Sequence, residues 1–388
     1  MRNPYLFLFF CALLLIFTQC KSKSQYREVK TKRINSNLEY TVSSINIHLP
    51  DSTEFDQYFA IQNDTNLLLV YFNYHSETID YFDINNDNII KRNYINKSDL
   101  PFDETINAAS IYQTSPDSLY VLTESYLLIL DKTGKIYYSN PININLTDTT
   151  FKKNLFENLS KMFPIYRFAN KTYMPYRSLQ YSFRTKEFYN HPVEAFIDDS
   201  SGIISESTLK YPEIYYKNPY GFMDFSFREG HDSLGILSFM ADPNIYVYNY
   251  KTNSYKILGG KSDYQEKIEP IENKFKDVTN KMFEFLTTSP FYSRILWDKY
   301  RKLYYRFLYC GQDLKNPNGT YNVFADKDVV LMMFDSNYNL LKEIKLKKHT
   351  YLDTKAFVAK DGLFLPKKNI FFKDNKPNTI NYDIYNFK

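Results

Sequence analysis

Short apolar runs alternate with polar turns along most of the chain, and one unit recurs. In each copy a turn with Asp, Asn or Lys precedes an apolar strand, and a second strand, a polar turn and a third strand follow. Runs of this length, bounded by turn residues, are typical of β-strands. Six copies align on one apolar residue each: Phe82, Leu130, Phe183, Tyr248, Phe334 and Ile384.

The spacing of these copies predicts the architecture. A four-stranded unit of about 40–50 residues is the size of one β-propeller blade, and insertions explain the longer intervals. We therefore predict an all-β protein, a β-propeller of six four-stranded blades, with seven blades as the alternative count. The fifth unit displays all four strands, at Ser293–Trp297, Leu303–Cys310, Val329–Asp335 and Leu340–Leu346.

The sixth unit ends after three strands. We expect a strand within Tyr40–Leu49 to complete it and close the ring, because an unpaired edge strand promotes aggregation. Two insertions, Phe151–Phe163 and Ile271–Leu286, place apolar residues on one helical face. We predict two short amphipathic helices that dock on the propeller through this face. A role in a binding rim is the alternative.

The first twenty residues differ from the rest. Arg2 precedes the apolar run Tyr5–Phe17, which is shorter than the about 20 residues of a transmembrane helix and has the length of a signal-peptide core. The run ends in Phe17-Thr18-Gln19-Cys20, which resembles a bacterial lipobox. That resemblance implies cleavage before Cys20 and lipid attachment, including palmitate, at this cysteine. An ordinary cleaved signal or an uncleaved anchor are the alternatives.

These features divide the chain into three parts. Residues 1–19 are predicted to be a lipoprotein-type signal peptide, residues 20–37 a lipid-anchored polar tether, and residues 38–388 a single β-propeller domain. No acidic residue directly follows Cys20. We therefore expect a cell-envelope protein that is lipid-anchored to a bacterial membrane, the outer membrane, and faces the periplasm.

Composition narrows the function classes. The chain has 48 Lys and Arg against 44 Asp and Glu, a formal net charge of +4. A nearly balanced charge and an export signal argue against nucleic acid as a partner. Aromatic residues make up 18% of the chain, including 37 Tyr and 32 Phe. Aromatic side chains pack well on pleated sheets and thus favour the β architecture.

Catalytic signatures are missing from the sequence. The patterns GxxxxGK[ST], GxGxxG, GxSxG and HExxH do not occur, and the five histidines lack metal-ligand spacing. The sequence therefore assigns no catalytic residue, no metal and no cofactor, and it leaves enzymatic activity undecided. The acidic turn Asp198–Gly202 offers oxygen ligands for Ca²⁺, but an ordinary turn is favoured because the spaced acids of an EF-hand are missing.

Four residues are candidate ligand contacts. Arg306 is a charge inside a very apolar strand, which calls for a buried ion pair or, alternatively, a ligand. His231 stands beside Asp232 in a turn, where a histidine and a carboxylate could act as a general base, although turn charges are usually solvated. Tyr215 and Tyr216 belong to an aromatic cluster that could stack on sugars or pack between blades.

Lysine is concentrated near the carboxyl terminus. Residues 342–388 carry eleven Lys against five Asp and Glu. We expect these charges to protect outer strand edges, with attraction to anionic lipids or polysaccharide as a secondary role.

Two segments carry a family resemblance, Trp297–Phe307 and Val358–Phe364. Together with the lipoprotein-type start and the chain length, they resemble an uncharacterised propeller-like lipoprotein family of Bacteroidota, a domain of unknown function. The resemblance implies an envelope-anchored six-bladed propeller and brings no established active site.

The sequence thus favours a binding or assembly module of the cell envelope. Loops from every blade of a propeller converge on one face, while the ring stays rigid. A glycan or an envelope protein is the expected partner, beside the membrane itself. The alternative is a propeller enzyme, a glycan lyase or hydrolase, with carboxylates, or His with Arg and Tyr, converging at the channel mouth.

Overall fold

The described residues form twenty-four β-strands in six antiparallel sheets. The computed structural model describes residues 26–48, 58–62, 66–73, 76–95, 108–115, 118–123, 126–141, 164–176, 181–265, 267–373 and 379–388. Each sheet has four strands, and the six sheets are the blades of a propeller. The predicted all-β propeller with six four-stranded blades is confirmed, and the alternative of seven blades is not.

The strands of each blade follow one another from the centre outwards. Blades one and two contain β2 (Tyr58–Gln62), β3 (Leu67–Asn73), β4 (Thr78–Asp83), β5 (Asn88–Tyr94), β6 (Ala108–Ser115), β7 (Ser118–Thr123), β8 (Tyr126–Leu130) and β9 (Ile136–Pro141). Blades three and four contain β10 (Tyr166–Phe168), β11 (Lys171–Pro175), β12 (Glu194–Asp198), β13 (Ile204–Glu206), β14 (Ser226–His231), β15 (Leu234–Phe239), β16 (Ile245–Asn249) and β17 (Ser254–Leu258). Blades five and six contain β18 (Phe291–Asp298), β19 (Leu303–Tyr309), β20 (Val329–Asp335), β21 (Leu340–Lys345), β22 (Phe357–Ala359), β23 (Gly362–Pro366), β24 (Thr379–Phe387) and β1 (Tyr40–His48).

Blade six joins the two ends of the chain. Strand β1 pairs antiparallel with β24 along its whole length, from Tyr40 opposite Phe387 to His48 opposite Thr379. The expected strand within Tyr40–Leu49 is therefore confirmed. Because this pairing is non-local, the ring closes only when the amino-terminal strand joins the last three. Every described strand lies between residues 40 and 387, so the six blades are complete within that span.

Five blades use the same turn between their third and fourth strands. An Asp or Asn side chain accepts hydrogen bonds from backbone N–H groups two to four residues later, which is an Asx-type turn. This shared turn chemistry produces the repeating polar signal in the sequence. The residues are Asp83, Asp131, Asp198, Asn249 and Asp335.

Asp198, at the turn considered for Ca²⁺, follows this pattern. Its Oδ1 atom accepts hydrogen bonds from the backbone N–H groups of Ser200 and Ser201, each over 3.1 Å, and from both hydroxyls. The neighbouring carboxylate of Asp199 accepts from Arg167 and Thr172. The protein's own donors thus occupy both carboxylates, as in an ordinary turn.

The propeller has two distinct faces. The hairpin face carries the turns between first and second and between third and fourth strands. The loop face carries the loops between second and third strands and the connections between blades. Three short helices within the described residues belong to the loop face: α1 (Lys186–Tyr189), α2 (Glu213–Lys217) and α3 (Thr279–Thr288).

Helix α3 overlaps the insertion predicted at Ile271–Leu286 and ends two residues beyond it. It begins later than expected, after a single 3₁₀ turn at Asn273–Phe275. Met282 is fully buried on its inner side, while Phe283 is exposed, so the helix is amphipathic and docks as predicted. The other predicted helix, Phe151–Phe163, lies outside the described residues.

The segment 26–38 crosses blades four and five before it enters β1. The Tyr26 hydroxyl donates to Asp242 over 3.0 Å, and Arg33 forms ion pairs with Asp263 and Glu343. Backbone hydrogen bonds also join this segment to Leu340, the first residue of β21. This part of the predicted polar tether therefore packs against the propeller.

Candidate functional site

Arg306 lies in the centre of β19 and is fully buried. Its five N–H groups match five acceptors. Nε donates to the Ser238 hydroxyl over 2.9 Å, and the terminal nitrogens donate to the carbonyl oxygens of Asp242, Pro243, Asn244 and Gly260, at 2.9, 2.5, 3.3 and 3.1 Å. A ligand would have to compete with a protein acceptor for every one of these groups.

Backbone carbonyls, rather than a carboxylate, hold this guanidinium. The expected buried ion pair is therefore wrong, because the Asp242 carboxylate accepts from Tyr26, Tyr246 and the backbone of Asn244 instead. The guanidinium also lies over the Tyr292 ring, 3.8 Å from its centroid, a cation–π contact. Burial lowers the pKa of Arg306 to about 10, so the group stays charged at neutral pH.

The two tyrosine candidates lie on α2. Tyr215 is buried, its hydroxyl accepts a 2.8 Å hydrogen bond from the Ala241 N–H, and its ring packs against Tyr211 and Phe239. Tyr216 is half-buried at the edge of the same core cluster. Burial raises the pKa of Tyr216 to about 12. The structure thus places Tyr215 in the packed core and only Tyr216 within reach of solvent.

His231 ends β14 on the hairpin face and bridges two blades. Its ring stacks on Trp297 of blade five, with centroids 4.6 Å apart and planes 18° from parallel. Nε2 lies 2.7 Å from the Tyr304 hydroxyl, which also accepts from Tyr338. Burial lowers the pKa of His231, and the exposed Asp232, 3.3 Å from Nδ1, partly opposes that shift. A neutral, stacked imidazole at neutral pH follows from this arrangement.

The first strands of all six blades surround a central cavity of about 220 Å³. Its wall combines aromatic and charged side chains. No single blade builds it, and no pair of the four sequence candidates meets in it, although Trp297 links it to His231. The lining includes Ser110, Tyr112, Tyr166, Arg228, Glu229, Arg294, Trp297 and Phe357.

Glu229 is the acid in this wall. It lines the cavity from β14 and keeps a small accessible surface, yet protein surrounds it on all sides. Burial raises the pKa of Glu229 to about 7, although Arg294, a backbone hydrogen bond with Trp297 and Arg228 partly oppose this shift. At neutral pH the carboxyl group therefore exists in both protonation states, and it can donate or accept a hydrogen bond.

Hydrogen bonds and one ion pair with neighbouring protein groups hold the two arginines of the cavity in place. Arg228 forms a buried ion pair with Glu194 and donates to the carbonyl oxygen of Pro164 over 2.8 Å. Glu194 also accepts from Tyr250 over 2.9 Å. Arg294 donates through one terminal nitrogen to the carbonyl oxygens of Asp353, Thr354 and Ala356, at 3.3, 2.7 and 3.2 Å. Both guanidinium groups are thus fixed in position beside Glu229.

Close packing against glycine fixes this region further. A Cβ atom on Gly230 would lie 2.3 Å from the Tyr166 ring, and one on Gly235 would lie 2.5 Å from the Tyr250 hydroxyl. The two glycines face each other across β14 and β15. The rings of Tyr166 and Tyr250, which stack 5.8 Å apart, therefore rest directly on the backbone.

Sequence reasoning missed the charged wall of this cavity. The sequence singles out His231 at the end of β14 but not Arg228 or Glu229 on the same strand, nor Arg294 on β18. The available signal was the presence of ionisable residues inside first strands of blades, at Ser226–His231 and Phe291–Asp298. Such residues need either a partner or a cavity.

Two further properties concern the described residues only. Within them, no group of three or more His, Cys, Asp or Glu side chains is arranged to hold a metal ion. In the same part of the chain, every helix is too short or too polar to span a bilayer.

Comparison with known proteins places the chain in a family. No functionally curated protein matches it by sequence. Among solved structures, a luciferin-regenerating enzyme shares 9% identity, with a TM-score of 0.41 over 89% of this chain and 95% of that one. A Bacteroides caccae protein of unknown function shares 9%, with a TM-score of 0.39 over 77% and 84%. Both scores are too low to carry an argument.

A nearer structural relative comes from Bacteroides vulgatus, a crystal structure of a member of the DUF4221 family. It shares 19% identity, with a TM-score of 0.70 over 92% of this chain and 99% of that one, which supports the fold alone. The sequence profile of the same family, described as a domain of unknown function, matches residues 29–345. The chain therefore belongs to the DUF4221 family, which confirms the family resemblance read from its sequence.

Proposed function

We propose that this protein is a binding module of the cell envelope and that its ligand enters the central cavity. The observation that carries this proposal is the wall of that cavity, where Glu229, Arg228 and Arg294 meet aromatic rings from four blades. A few fixed polar groups within an otherwise apolar concave surface are typical of small-molecule sites. Buried charges with no role in binding would be an unusual cost in the centre of a propeller.

The size of the cavity limits the ligand. About 220 Å³ is below the 300–1,000 Å³ of pockets for drug-sized molecules, so we expect one sugar residue of a glycan or one side chain of a protein partner to enter. A pyranose suits this wall best. Its apolar face stacks on an aromatic ring such as Trp297, and its hydroxyls exchange hydrogen bonds with a carboxyl group such as Glu229.

Thermal unfolding of residues 26–388 against envelope glycans, oligosaccharides and peptides tests this proposal. A ligand at 100 times its dissociation constant stabilises the folded state by about 2.7 kcal/mol, which raises the melting temperature visibly. The substitution Glu229→Gln is expected to weaken binding at least about tenfold, because it removes the acceptor carboxylate. The matched control is Glu206→Gln, an exposed carboxylate at the end of β13.

Binding that is equal in wild type, Glu229→Gln and Glu206→Gln would place the ligand elsewhere and contradict the cavity site. A melting temperature that no ligand of the panel changes would remove the support for a glycan ligand. Crosslinking in intact cells would then test the protein partner.

We further propose that the protein is exported and carries a lipid on Cys20. The apolar run before Cys20 and the lipobox-like sequence support this. Metabolic labelling with a palmitate analogue is expected to mark the wild type and to be lost in Cys20→Ala. Equal labelling of both would contradict the anchor.

A propeller enzyme is the second candidate, and one observation favours it. A carboxyl group with a pKa of about 7 is suited to general acid–base catalysis at neutral pH. Product formation from a glycan that binds, abolished by Glu229→Gln, would establish a lyase or hydrolase. Binding without turnover would leave the protein a binding module.

A further inference from the structure

Two apolar side chains of the β23–β24 loop are exposed on the loop face. Ile370 is 73% exposed and Phe371 is 42% exposed. The turn that presents them is well formed, because Asn369 accepts hydrogen bonds from Phe371 through its side chain and from Phe372 through its carbonyl group, both over 2.9 Å. Its side-chain amide also donates to the Ala325 carbonyl oxygen over 3.0 Å. The local structure therefore holds these two side chains outwards.

The neighbouring β19–β20 loop extends the apolar surface. Ala325 belongs to that loop, and the two residues before it, Val323 and Phe324, are both exposed. The ring of His349 lies 5.0 Å from Phe371 and thus joins the blade connection to the same area. We call the exposed residues Val323, Phe324, Ile370 and Phe371 the apolar tip.

Lysines surround the apolar tip. Lys347 and Lys348 are exposed in the connection between blades five and six, and Lys368 and Lys373 flank Ile370 and Phe371. Burial lowers the pKa of Lys368, and the positive charge of the nearby Lys355 adds to this shift.

Among the described residues, the acidic groups near the tip have partners within the protein. The carboxylate of Asp353 is buried and accepts hydrogen bonds from Ser293 and Tyr309. Asp326 is paired with His349 over 2.9 Å. The described residues around the tip therefore carry an excess of positive charge, and an anionic surface is the complementary partner.

The path of the amino-terminal segment points to the same face. Tyr26 is bonded to Asp242, in the loop between β15 and β16, so it lies on the loop face. Five residues separate it from Cys20, and six residue steps span at most about 20 Å. A lipid on Cys20 would hold the loop face close to the bilayer. This step rests on the proposed lipid anchor, whereas the charge and apolar character of the tip do not.

We propose that the apolar tip and its lysines dock the loop face on an anionic lipid bilayer. Ile370 and Phe371 would enter the boundary between headgroups and acyl chains, and the lysine side chains would reach lipid phosphates. A bilayer fits better than a folded protein partner, because the charges around the tip lie on long, flexible side chains. The hairpin face and the outer strands then remain free for ligands.

Sedimentation of residues 26–388 with vesicles tests the docking without any lipid anchor. We expect binding to vesicles that contain phosphatidylglycerol, little binding to phosphatidylcholine alone, and a steep loss with added salt. The double variant I370S/F371S and the charge reversal K347E/K348E are each expected to weaken binding at least about tenfold.

Matched controls change the same chemistry elsewhere. Y255S/I257S removes two exposed apolar side chains from the outer strand β17, and K132E/K135E reverses two exposed lysines on the hairpin face. Both are expected to bind as the wild type does. Equal losses in the tip variants and the controls would overturn the proposal, as would no binding to anionic vesicles at low salt. Binding to a soluble polyanion but not to vesicles would also overturn it.

Failure of the docking and failure of the anchor are distinguishable. Loss of palmitate labelling in Cys20→Ala tests only the lipid anchor. Vesicle binding by residues 26–388 tests only the apolar tip and its lysines. Vesicle binding without any labelling would support the docking alone and remove the argument from chain length.

Discussion

Two buried charged groups on neighbouring blades have opposite surroundings. Arg306 in blade five is enclosed by four carbonyl oxygens, one hydroxyl and an aromatic ring. Glu229 in blade four lines the central cavity, where burial raises its pKa to about 7. All five N–H groups of Arg306 are hydrogen-bonded or matched by an acceptor, and this side chain stays charged. Glu229 exists in both protonation states at neutral pH.

This difference in surroundings makes Arg306 a structural charge and leaves Glu229 available for binding or chemistry. The carbonyl oxygens that bind Arg306 belong to loops of blade four, so the guanidinium connects two blades through polar contacts that a ligand would have to break. The cavity wall instead holds a carboxyl group beside two fixed arginines. Both positions are charges on inner strands of a blade, and only the three-dimensional arrangement distinguishes their roles.

The largest expected effect is the loss of stability when Arg306, whose N–H groups all have acceptors, is replaced. Arg306→Met leaves several buried acceptors without donors, and each costs about 1–3 kcal/mol, so we expect a loss of about 3 kcal/mol or more in the free energy of unfolding. Urea denaturation measures this loss. The control Arg33→Met removes a half-exposed arginine and should cost about 1 kcal/mol or less.

A loss below that of the control would show that the carbonyl contacts of Arg306 contribute little. Unchanged stability together with lost ligand binding would reverse the comparison and make Arg306 a ligand contact.

A smaller effect is expected in the pH dependence of stability. The pKa of Glu229 in the folded state is about 7, above its usual value of about 4.3. The stabilisation that the protonated Glu229 contributes to the folded state is therefore fully present below a pH of about 4.3. Stability is then lost as pH rises towards 7, by up to about 3 kcal/mol. Glu229→Gln cannot titrate and should abolish this part of the pH slope.

Chemical denaturation of both proteins between pH 4 and pH 8 measures the difference. Parallel pH profiles would contradict the raised pKa and, with it, the distinction between the two buried charges.

The smallest effect concerns the fluorescence of Trp297, the one tryptophan of the chain. Its indole stacks on His231, and protonation of the imidazole is expected to quench it. Because burial lowers the pKa of His231, the quenching should appear below the ordinary value of about 6.5. A fluorescence titration measures this midpoint.

His231→Gln should remove the transition, and Glu229→Gln should leave it in place. A midpoint above the ordinary value would show that Asp232 outweighs burial.

The blades could be predicted from the sequence, and the cavity could not. Five of the six blades leave a local signal, because Asp83, Asp131, Asp198, Asn249 and Asp335 start the same turn between their third and fourth strands. The closing strand followed from the edge-strand problem of the last blade. These are properties of neighbouring residues, so the chain itself displays them.

The site depends on contacts that leave no such signal. The partners of Arg306 are backbone carbonyl groups from residues more than forty positions away, and a carbonyl group looks the same in every residue. Glu229 lines a cavity only because the first strands of six blades, which are distant in sequence, converge around it. The family match adds the fold and the relatives, while the cavity chemistry comes from the geometry.

The most direct test of the cavity site is a titration of Trp297 fluorescence with the best ligand from the thermal panel. Wild-type residues 26–388, Glu229→Gln and Glu206→Gln would be compared at neutral pH. A ligand in the cavity predicts a saturable fluorescence change, with an affinity about tenfold weaker or worse in Glu229→Gln and unchanged in Glu206→Gln. Equal affinity in all three proteins, or binding that leaves Trp297 unaffected, would contradict it.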